Sequence, residues 1–177
     1  MALSTLVSNP KYKLFTINPA VEATPDYASG DVLFAPTEIP NFFPDKGASC
    51  ILKSITIIDK QIVATHAFTL YFTYSSTALG TINATAGAAM GVLEEIQATV
   101  PIVDGDWIAG GGAGSVDLAN VCTLTNPAVD GIGSVLQGSN RLGTARSRGI
   151  HVVGIAGETM NVASTSDLII KIGVKYI

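Results

Sequence analysis

The sequence predicts an all-β protein, an antiparallel β-sandwich or barrel with one short helix. Three observations support this fold class. Apolar and polar residues alternate with a period of two along several segments, which is the pattern of a half-buried strand. The 18 glycines and 8 prolines mark frequent turns between those segments. Helical periodicity is almost absent, and many short strands separated by turns are typical of a sandwich or barrel.

The alternating segments follow one another along the chain from residue 12 onward. The pattern is strongest in 65–73, where Phe68, Leu70 and Phe72 share one face and are expected to be buried between two sheets. The predicted strands span 12–18, 32–34, 51–59, 65–73, 98–103, 107–109, 116–125, 134–137, 150–155 and 168–176.

The last predicted strand has two different faces. Lys171 and Lys175 lie on one face, which is therefore expected to contact water or a partner. The opposite face is apolar and belongs to the core. Its residues are Leu168, Ile170, Ile172, Val174 and Tyr176.

Three segments depart from simple strand patterns. The prolines within 36–44 exclude regular pairing in the centre of a sheet. Segment 88–96 is the only predicted helix. The residues "DGD", 104–106, are predicted to form a turn between two strands.

Two aspartates stand directly before apolar runs. Asp31 ends "YASGD" ahead of Val32, and Asp167 ends "ASTSD" ahead of Leu168. A carboxylate beside serine, threonine or glycine accepts backbone N–H bonds and closes a turn. A calcium loop would need the Asp-x-Asp-x-Asp-Gly spacing, which the sequence lacks. We therefore predict that both aspartates are turn residues at strand starts.

Candidate groups for catalysis do not combine into a site. The glycine-rich segment 109–115 lacks the Gly-Lys-Ser/Thr ending of a phosphate loop, and no Gly-x-Ser-x-Gly elbow occurs. His66 and His151 have no metal-ligand spacing, and Glu94 and Glu95 are adjacent residues that point in different directions on a helix. The sequence alone leaves open a catalytic triad built from residues that are far apart in the chain. The sequence nevertheless predicts no enzyme, no catalytic residue, no metal and no cofactor.

The two cysteines, Cys50 and Cys122, are far apart in sequence. Neither has a CxxC partner or a nearby histidine with metal-ligand spacing. We expect two buried free thiols, with a disulfide between them as the alternative.

Composition excludes some partners and favours others. The net charge of -4 gives no reason to expect nucleic acid, whose phosphates require a basic surface. No apolar run is long enough to span a bilayer, and "MALSTLVSNPKYK" lacks the features of a secretory signal. Charged residues make up only 14% of the chain, so part of its surface is expected to be covered by other protein. We expect self-association as a homotrimer.

Three segments are candidate contacts with a partner. The polar segment 1–11 is predicted to be a flexible arm ahead of a single β-sandwich domain, 12–177. The proline-rich segment 36–44 contains two adjacent phenylalanines. Segment 141–149 contains three arginines, which are either solvated or paired with carboxylates of a partner. The candidate partner-binding residues are Leu3, Leu6, Val7, Phe42, Phe43, Arg141, Arg146 and Arg148.

Four segments, taken in chain order, resemble a family of small virion structural proteins from tailed bacteriophages. They are "YASGDVL", "LKSITIIDK", "TLYFT" and "ASTSDLIIKIG". The resemblance implies a β-sandwich of jelly-roll type and a decoration, or cement, role on the capsid, commonly as trimers. These motifs frame strands and include no catalytic signature. Val162 stands where an aromatic residue would be expected in the family pattern.

Three classes of function are compatible with these observations. The first is a capsid decoration protein that binds the outside of the shell formed by the major capsid protein and stabilises it. Such a protein would be made in the bacterial host cytoplasm and act on the virion surface. The alternative is a carbohydrate- or receptor-binding jelly-roll module of a phage tail or fibre. That module would need exposed aromatic residues, but Trp107 is the only tryptophan and aromatics are only 7% of the chain. The third class, an enzyme on a β-sandwich, is ranked last because the sequence shows no catalytic constellation.

Overall fold

The computed structural model describes residues 12–45, 47–60, 66–74, 76–87, 93–108, 120–125, 135–138, 148–162 and 164–177. The regular secondary structure of these residues is almost entirely β-strand, and turns or loops connect the strands. The strands are β1 (Tyr12–Ile17), β2 (Val32–Ile39), β3 (Ser49–Asp59), β4 (Phe68–Thr73), β5 (Ile96–Ile102), β6 (Trp107–Ile108), β7 (Asn120–Thr125), β8 (Val135–Gln137), β9 (Ile150–Ala156) and β10 (Leu168–Tyr176). A 3₁₀ turn, Asp104–Asp106, precedes β6.

The described strands form two antiparallel sheets that pack against each other. This β-sandwich confirms the predicted all-β fold class. The six-stranded sheet has the order β1-β10-β3-β7-β6, and β8 pairs with the first residues of β3. The four-stranded sheet has the order β2-β9-β4-β5. Because β3 is 11 residues long, its start pairs with β8 and its second half pairs with β7.

Alternate residues of the long strands form the core between the sheets. Phe68, Leu70 and Phe72 are buried as predicted, each no more than 1% exposed. The core also requires one close contact between strands, because the ring of Phe34 lies over its pairing partner Gly154. A Cβ atom at position 154 would lie 2.4 Å from Phe34 Cε1, so only glycine fits beside this ring.

The strand β2 is longer than the sequence predicted. It continues past Phe34 through Pro36 to Ile39. Two features allow a proline here, since β2 is the first strand in the order of its sheet and its register with β9 shifts on both sides of Phe34. The irregular pairing of β2 with β9 agrees with the expectation that these prolines exclude regular pairing in the centre of a sheet. The predicted end of the strand at residue 34 is wrong.

The predicted helix 88–96 is only partly covered by the structure, since residues 88–92 lie outside the described part. Leu93 is helical, and Glu94 and Glu95 form a turn. Ile96 begins β5 and pairs with Thr73, so the predicted C-terminal end of the helix is wrong. Pairing with β4 outweighs local helix propensity at this position.

Asp31 and Asp167 close two turns of the same geometry, which confirms the predicted turn role. The Asp31 carboxylate accepts the N–H of Ala28 at 2.8 Å, and the Asp31 N–H donates to the Ala28 carbonyl at 3.1 Å. The Asp167 carboxylate accepts the N–H of Ser164 at 2.7 Å, and the Asp167 N–H donates to the Ser164 carbonyl at 3.2 Å. Each turn ends directly before a strand, so the aspartate fixes the point from which β2 or β10 departs.

The predicted turn at 104–106 uses the same bonds but connects different elements. The Asp106 carboxylate accepts the N–H of Val103 at 3.0 Å, and the Asp106 N–H donates to the Val103 carbonyl at 2.9 Å. The flanking strands do not pair with each other, because β5 belongs to the four-stranded sheet and β6 pairs with β7 in the six-stranded sheet. The segment is therefore a crossover between sheets and not a hairpin turn.

Replacing Phe72 with alanine is expected to lower the free energy of unfolding by about 3–5 kcal/mol, because the ring is fully buried and leaves a cavity. Chemical denaturation of both proteins measures this difference. Thr69→Ala on the opposite face of β4 is the control, and it should cost less than about 1 kcal/mol. Similar losses for the two variants would contradict the assignment of the faces.

Replacing Asp167 with alanine is expected to lower the free energy of unfolding by about 1 kcal/mol, the scale of one turn hydrogen bond. Asp167→Asn keeps an oxygen that can accept the Ser164 N–H and should lose less. Thermal denaturation of both variants tests the turn role. Equal losses would show that the carboxylate acts in another way.

Candidate functional site

The structure places Phe42 and Phe43 inside the core, although the sequence predicted them as partner contacts. Both side chains are fully buried. The ring of Phe42 stacks on Phe15 at a centroid distance of 4.9 Å and meets Phe43 edge-on at 5.1 Å. The Tyr176 hydroxyl donates to the Phe42 carbonyl at 3.1 Å. These rings stabilise the loop after β2 from the inside, so they are removed from the surface that a partner can contact.

Arg148 also acts within the chain. Its guanidinium donates from Nη1 to the Pro44 carbonyl at 3.1 Å and from Nη2 to the Asn41 side-chain oxygen. Its carbonyl accepts the N–H of Phe43 at 2.8 Å. Although exposed, Arg148 therefore braces the same loop that contains the two phenylalanines. The other candidate partner-binding residues lie outside the described residues: Leu3, Leu6, Val7, Arg141 and Arg146.

One of the two candidate histidines, His66, is part of a buried pair. His66 Nε2 lies 3.3 Å from Asp59 Oδ2, and both side chains are buried. The indole N–H of Trp107 donates to the His66 carbonyl at 2.9 Å. This pair links the end of β3 to the start of β4. Among the residues that the structure describes, no group of three or more His, Cys, Asp or Glu side chains could hold a metal ion.

The two cysteines are free and buried, as predicted. Burial raises the pKa of the Cys50 thiol to about 12. Burial, together with the negative charge of Asp106, raises the pKa of the Cys122 thiol to about 11. Both groups therefore stay protonated at neutral pH and are poor nucleophiles.

Three of the described lysines lie at outward positions of β3 and β10: Lys53, Lys171 and Lys175. Lys13 is on the opposite face of β1, with the buried Phe15 and Ile17, and its ammonium lies 4.6 Å from the centre of the Phe15 ring. Lys60 follows β3 directly. The only carboxylate in the described strands of the six-stranded sheet is Asp59, which is buried. The chain as a whole has a net charge of -4, but the described strands of this sheet carry lysines and no exposed carboxylate.

This surface is the outer face of the six-stranded sheet near β1. Outward residues alternate with the buried ones of β1, β10 and β3 and pair across the sheet. Lys171, for example, pairs with Thr16 on one side and Thr56 on the other. We call this surface the lysine face, and it consists of Tyr12, Leu14, Thr16, Lys53, Ser54, Thr56, Lys171, Gly173 and Lys175.

Two large apolar residues of the lysine face are exposed. Tyr12 is 62% exposed and Leu14 is 63% exposed. The Lys175 ammonium lies 5.8 Å from the centre of the Tyr12 ring. Exposed apolar side chains beside cations are typical of a surface that binds protein, because the apolar groups gain from burial and the cations select the partner.

A groove runs across the lysine face beside these residues. Gly173 pairs with Leu14 on one side and with Ser54 on the other, and a Cβ atom at position 173 would lie 2.4 Å from Ser54 Oγ. A bulge in the pairing follows Gly173 and places Lys53 at the same point. The groove has a volume of about 320 Å³ and is called the β1 groove. It is lined by Tyr12, Lys13, Leu14, Lys53, Ser54, Gly173 and Val174.

The outer face of the four-stranded sheet differs, because another segment of the chain covers part of it. Val32, Leu79 and Val153 form a small buried cluster there. The Val32 N–H donates to the Ala84 carbonyl at 3.0 Å, and the Asn83 N–H donates to the Val32 carbonyl at 2.9 Å. The lysine face is therefore the better candidate for contact with another molecule.

The candidate site differs from the one that the sequence predicted. The alternation of β10 indicated an outward face with Lys171 and Lys175, and this prediction is confirmed. The exposed Tyr12 and Leu14 were missed, because they lie in a strand whose sequence alone does not identify its outer face. The groove was missed because it depends on the pairing of residues far apart in sequence.

Comparisons with known proteins give no relative from which a function can be transferred. No protein-family model matches the chain, and no curated protein matches it. In the part of the chain that the structure describes, no helix is long and apolar enough to cross a membrane.

Both cysteines are expected to resist a thiol-specific reagent in the native protein at pH 8 and to react at once in denaturant. Their raised pKa values keep them protonated well above neutral pH, and burial blocks access. This protection should weaken only as the pH approaches about 11, the lower of the two pKa values. Absorbance measured after adding the reagent follows the reaction. Rapid labelling of the native protein at pH 8 would contradict the burial of the thiols.

Proposed function

We propose that the chain is a non-enzymatic structural protein of a virus particle, a decoration protein that binds the outside of the shell formed by the major capsid protein. The observation that carries this proposal is the lysine face. It combines exposed apolar residues with cations, and none of its residues is acidic. Such a surface fits a protein partner that presents carboxylates.

The strand order supports a β-sandwich of jelly-roll type. The first and last described strands, β1 and β10, are neighbours in one sheet, and β2 and β9 are neighbours in the other. Pairing continues inward with β3 beside β7 and β8, and then with β4 beside β5. This nested order corresponds to one long antiparallel hairpin wrapped around the core, the arrangement expected of a jelly roll, which is common in viral capsid proteins.

Attachment to a shell does not need one tight site. An exposed ion pair contributes about 0.2–1 kcal/mol, so one lysine alone binds weakly. A homotrimer would present the same surface three times, and linked contacts multiply their effect. We retain the homotrimer as part of the proposal. Segment 1–11 and the arginines Arg141 and Arg146 stay as proposed additional contacts with the shell.

The carbohydrate-binding alternative has less support from the described residues. Trp107 is buried, and its indole N–H is bonded to the His66 carbonyl, so it offers no ring on which a sugar can stack. Tyr12 is an exposed aromatic residue, but the cations around it fit an acidic partner better than a neutral sugar.

Lys171→Glu is expected to weaken binding to undecorated shells. If charge reversal costs about 0.5 kcal/mol per copy, the affinity of a trimer falls roughly tenfold. Cosedimentation with shells at several salt concentrations measures binding, and the difference between the proteins should shrink as salt rises.

Lys60→Glu is the matched control for this experiment. It changes the net charge of the chain equally but lies after β3, where its ammonium donates to the Ser166 carbonyl at 3.0 Å. This control should bind nearly as well as the unmodified protein. Equal weakening by both substitutions, or full binding by Lys171→Glu at low salt, would contradict attachment through the lysine face. Failure of the unmodified protein to bind shells would contradict the proposed function itself.

A further inference from the structure

We propose that an extended segment of the shell protein binds this chain by adding as a further strand beside β1, at the free edge of the six-stranded sheet. The inference rests on the proposed function and names how the shell partner is held. In the described part of the chain, β1 is the first strand of its sheet and pairs only with β10. Every second residue of an edge strand points its N–H and C=O away from the sheet, so half of the six residues of β1 present backbone groups to a partner.

The other sheet edges among the described residues carry features that oppose strand addition. β2 contains Pro36 and pairs irregularly with β9, and β5 contains Pro101, which has no N–H to donate. β6 is two residues long and β8 is three, so both are short edges. β1 has six residues, no proline and a regular register with β10 over its whole length. Because proteins protect edges that do not pair, this unprotected edge is where a further strand is expected.

Lys13 is the charged residue of β1, and an inward-pointing lysine can itself protect an edge strand. Its ammonium is occupied within the chain, because it lies 4.6 Å from the centre of the Phe15 ring and 3.5 Å from the Asn41 carbonyl oxygen. A strand added beside β1 therefore does not leave this charge without a partner.

The side chains beside the free edge define which segment fits. Tyr12, Leu14 and Thr16 alternate along β1 on the lysine face, and residues of an added strand opposite them lie on the same face. Tyr12 pairs with Lys175, and Thr16 pairs with Lys171. The added segment is therefore expected to place carboxylates opposite Tyr12 and Thr16 and an apolar side chain opposite Leu14. The partner that covers Leu14 is then the shell itself, as the proposed function requires.

Both lysines can reach a carboxylate on the added strand. Two strand spacings of about 4.8 Å separate β10 from that strand by roughly 10 Å, which a lysine and a glutamate side chain span together. The Lys175 ammonium already extends over β1, since it lies 5.8 Å from the centre of the Tyr12 ring. An exposed cation–π contact is weak and an ammonium has three donors, so Lys175 can keep this contact and also bind a carboxylate. Among the described residues, no carboxylate forms an ion pair with Lys171 or Lys175.

Short peptides test strand addition without shells. The probe is a capped seven-residue peptide in which glutamate, valine and glutamate alternate with four threonines. Amide hydrogen exchange of the protein, followed by NMR, is the readout. With the probe at about ten times its dissociation constant, every second amide of β1 is expected to exchange about tenfold more slowly, since binding lowers the unbound fraction by that factor. The amides of β5, the edge that contains Pro101, should not change.

Matched probes separate backbone pairing from side-chain contact. A control peptide of the same composition carries its glutamates at the two ends, on the opposite face from the valine, and should bind more weakly. N-methylation of alternate residues of the probe gives two versions, of which one should lose binding and the other keep it, because only one side of an added strand faces β1. Lys171→Glu should weaken the probe roughly twofold to fivefold, the factor for one exposed ion pair, whereas Lys60→Glu should not.

Protein bound to undecorated shells distinguishes this inference from the proposed function. Hydrogen exchange of the bound protein, measured by mass spectrometry, is expected to show protection of β1. Binding to shells without this protection would overturn strand addition and leave the decoration function intact, whereas absence of binding would overturn the proposed function and this inference with it. Strand addition is also overturned if the probe leaves the exchange of β1 unchanged or if both N-methylated versions bind equally.

Discussion

The packing of two sheets against each other is the constraint on which the rest of this molecule depends. It requires large apolar side chains on alternate residues of every long strand, as in the buried row Phe68, Leu70 and Phe72. The remaining positions of the same strands must face outward. In β1, β3 and β10 these positions include lysines, threonines, half-buried isoleucines, Tyr12 and Leu14, and the lysines with Tyr12 and Leu14 give the lysine face its chemistry. The surface chemistry thus follows from the alternation that builds the core.

The turns between strands decide how the core meets the surface. Asp31, Asp106 and Asp167 each accept the backbone N–H three residues earlier, directly before a strand begins. Two of these turns only start strands, whereas the Asp106 turn also carries the chain from one sheet to the other and exposes Val103 and Ile108 at its ends. One local hydrogen-bonding pattern can therefore start a strand at two sites and connect the two sheets at a third.

The sequence predicted what depends on local patterns and missed what depends on pairing. Alternation identified the core of β4 and the outward lysines of β10, and the small polar residues before Asp31 and Asp167 identified their turns. Phe42 and Phe43 were placed on the surface because they follow a proline in a loop without periodicity. Their burial depends on Phe15, which stacks on Phe42, and on Arg148, which braces the loop from a position far along the chain. The β1 groove requires the register of Leu14, Gly173 and Ser54, which no local pattern contains.

The central claim is that the chain contacts its partner through the lysine face, and site-specific cross-linking to shells tests it most directly. A photo-cross-linker is attached to Leu14→Cys, and the native cysteines do not interfere because both are buried. With undecorated shells, this variant is expected to cross-link to the shell protein. The same label on Leu93→Cys, an exposed position before β5, is the control and should cross-link poorly. Efficient cross-linking from Leu93→Cys and none from Leu14→Cys would contradict attachment through the lysine face.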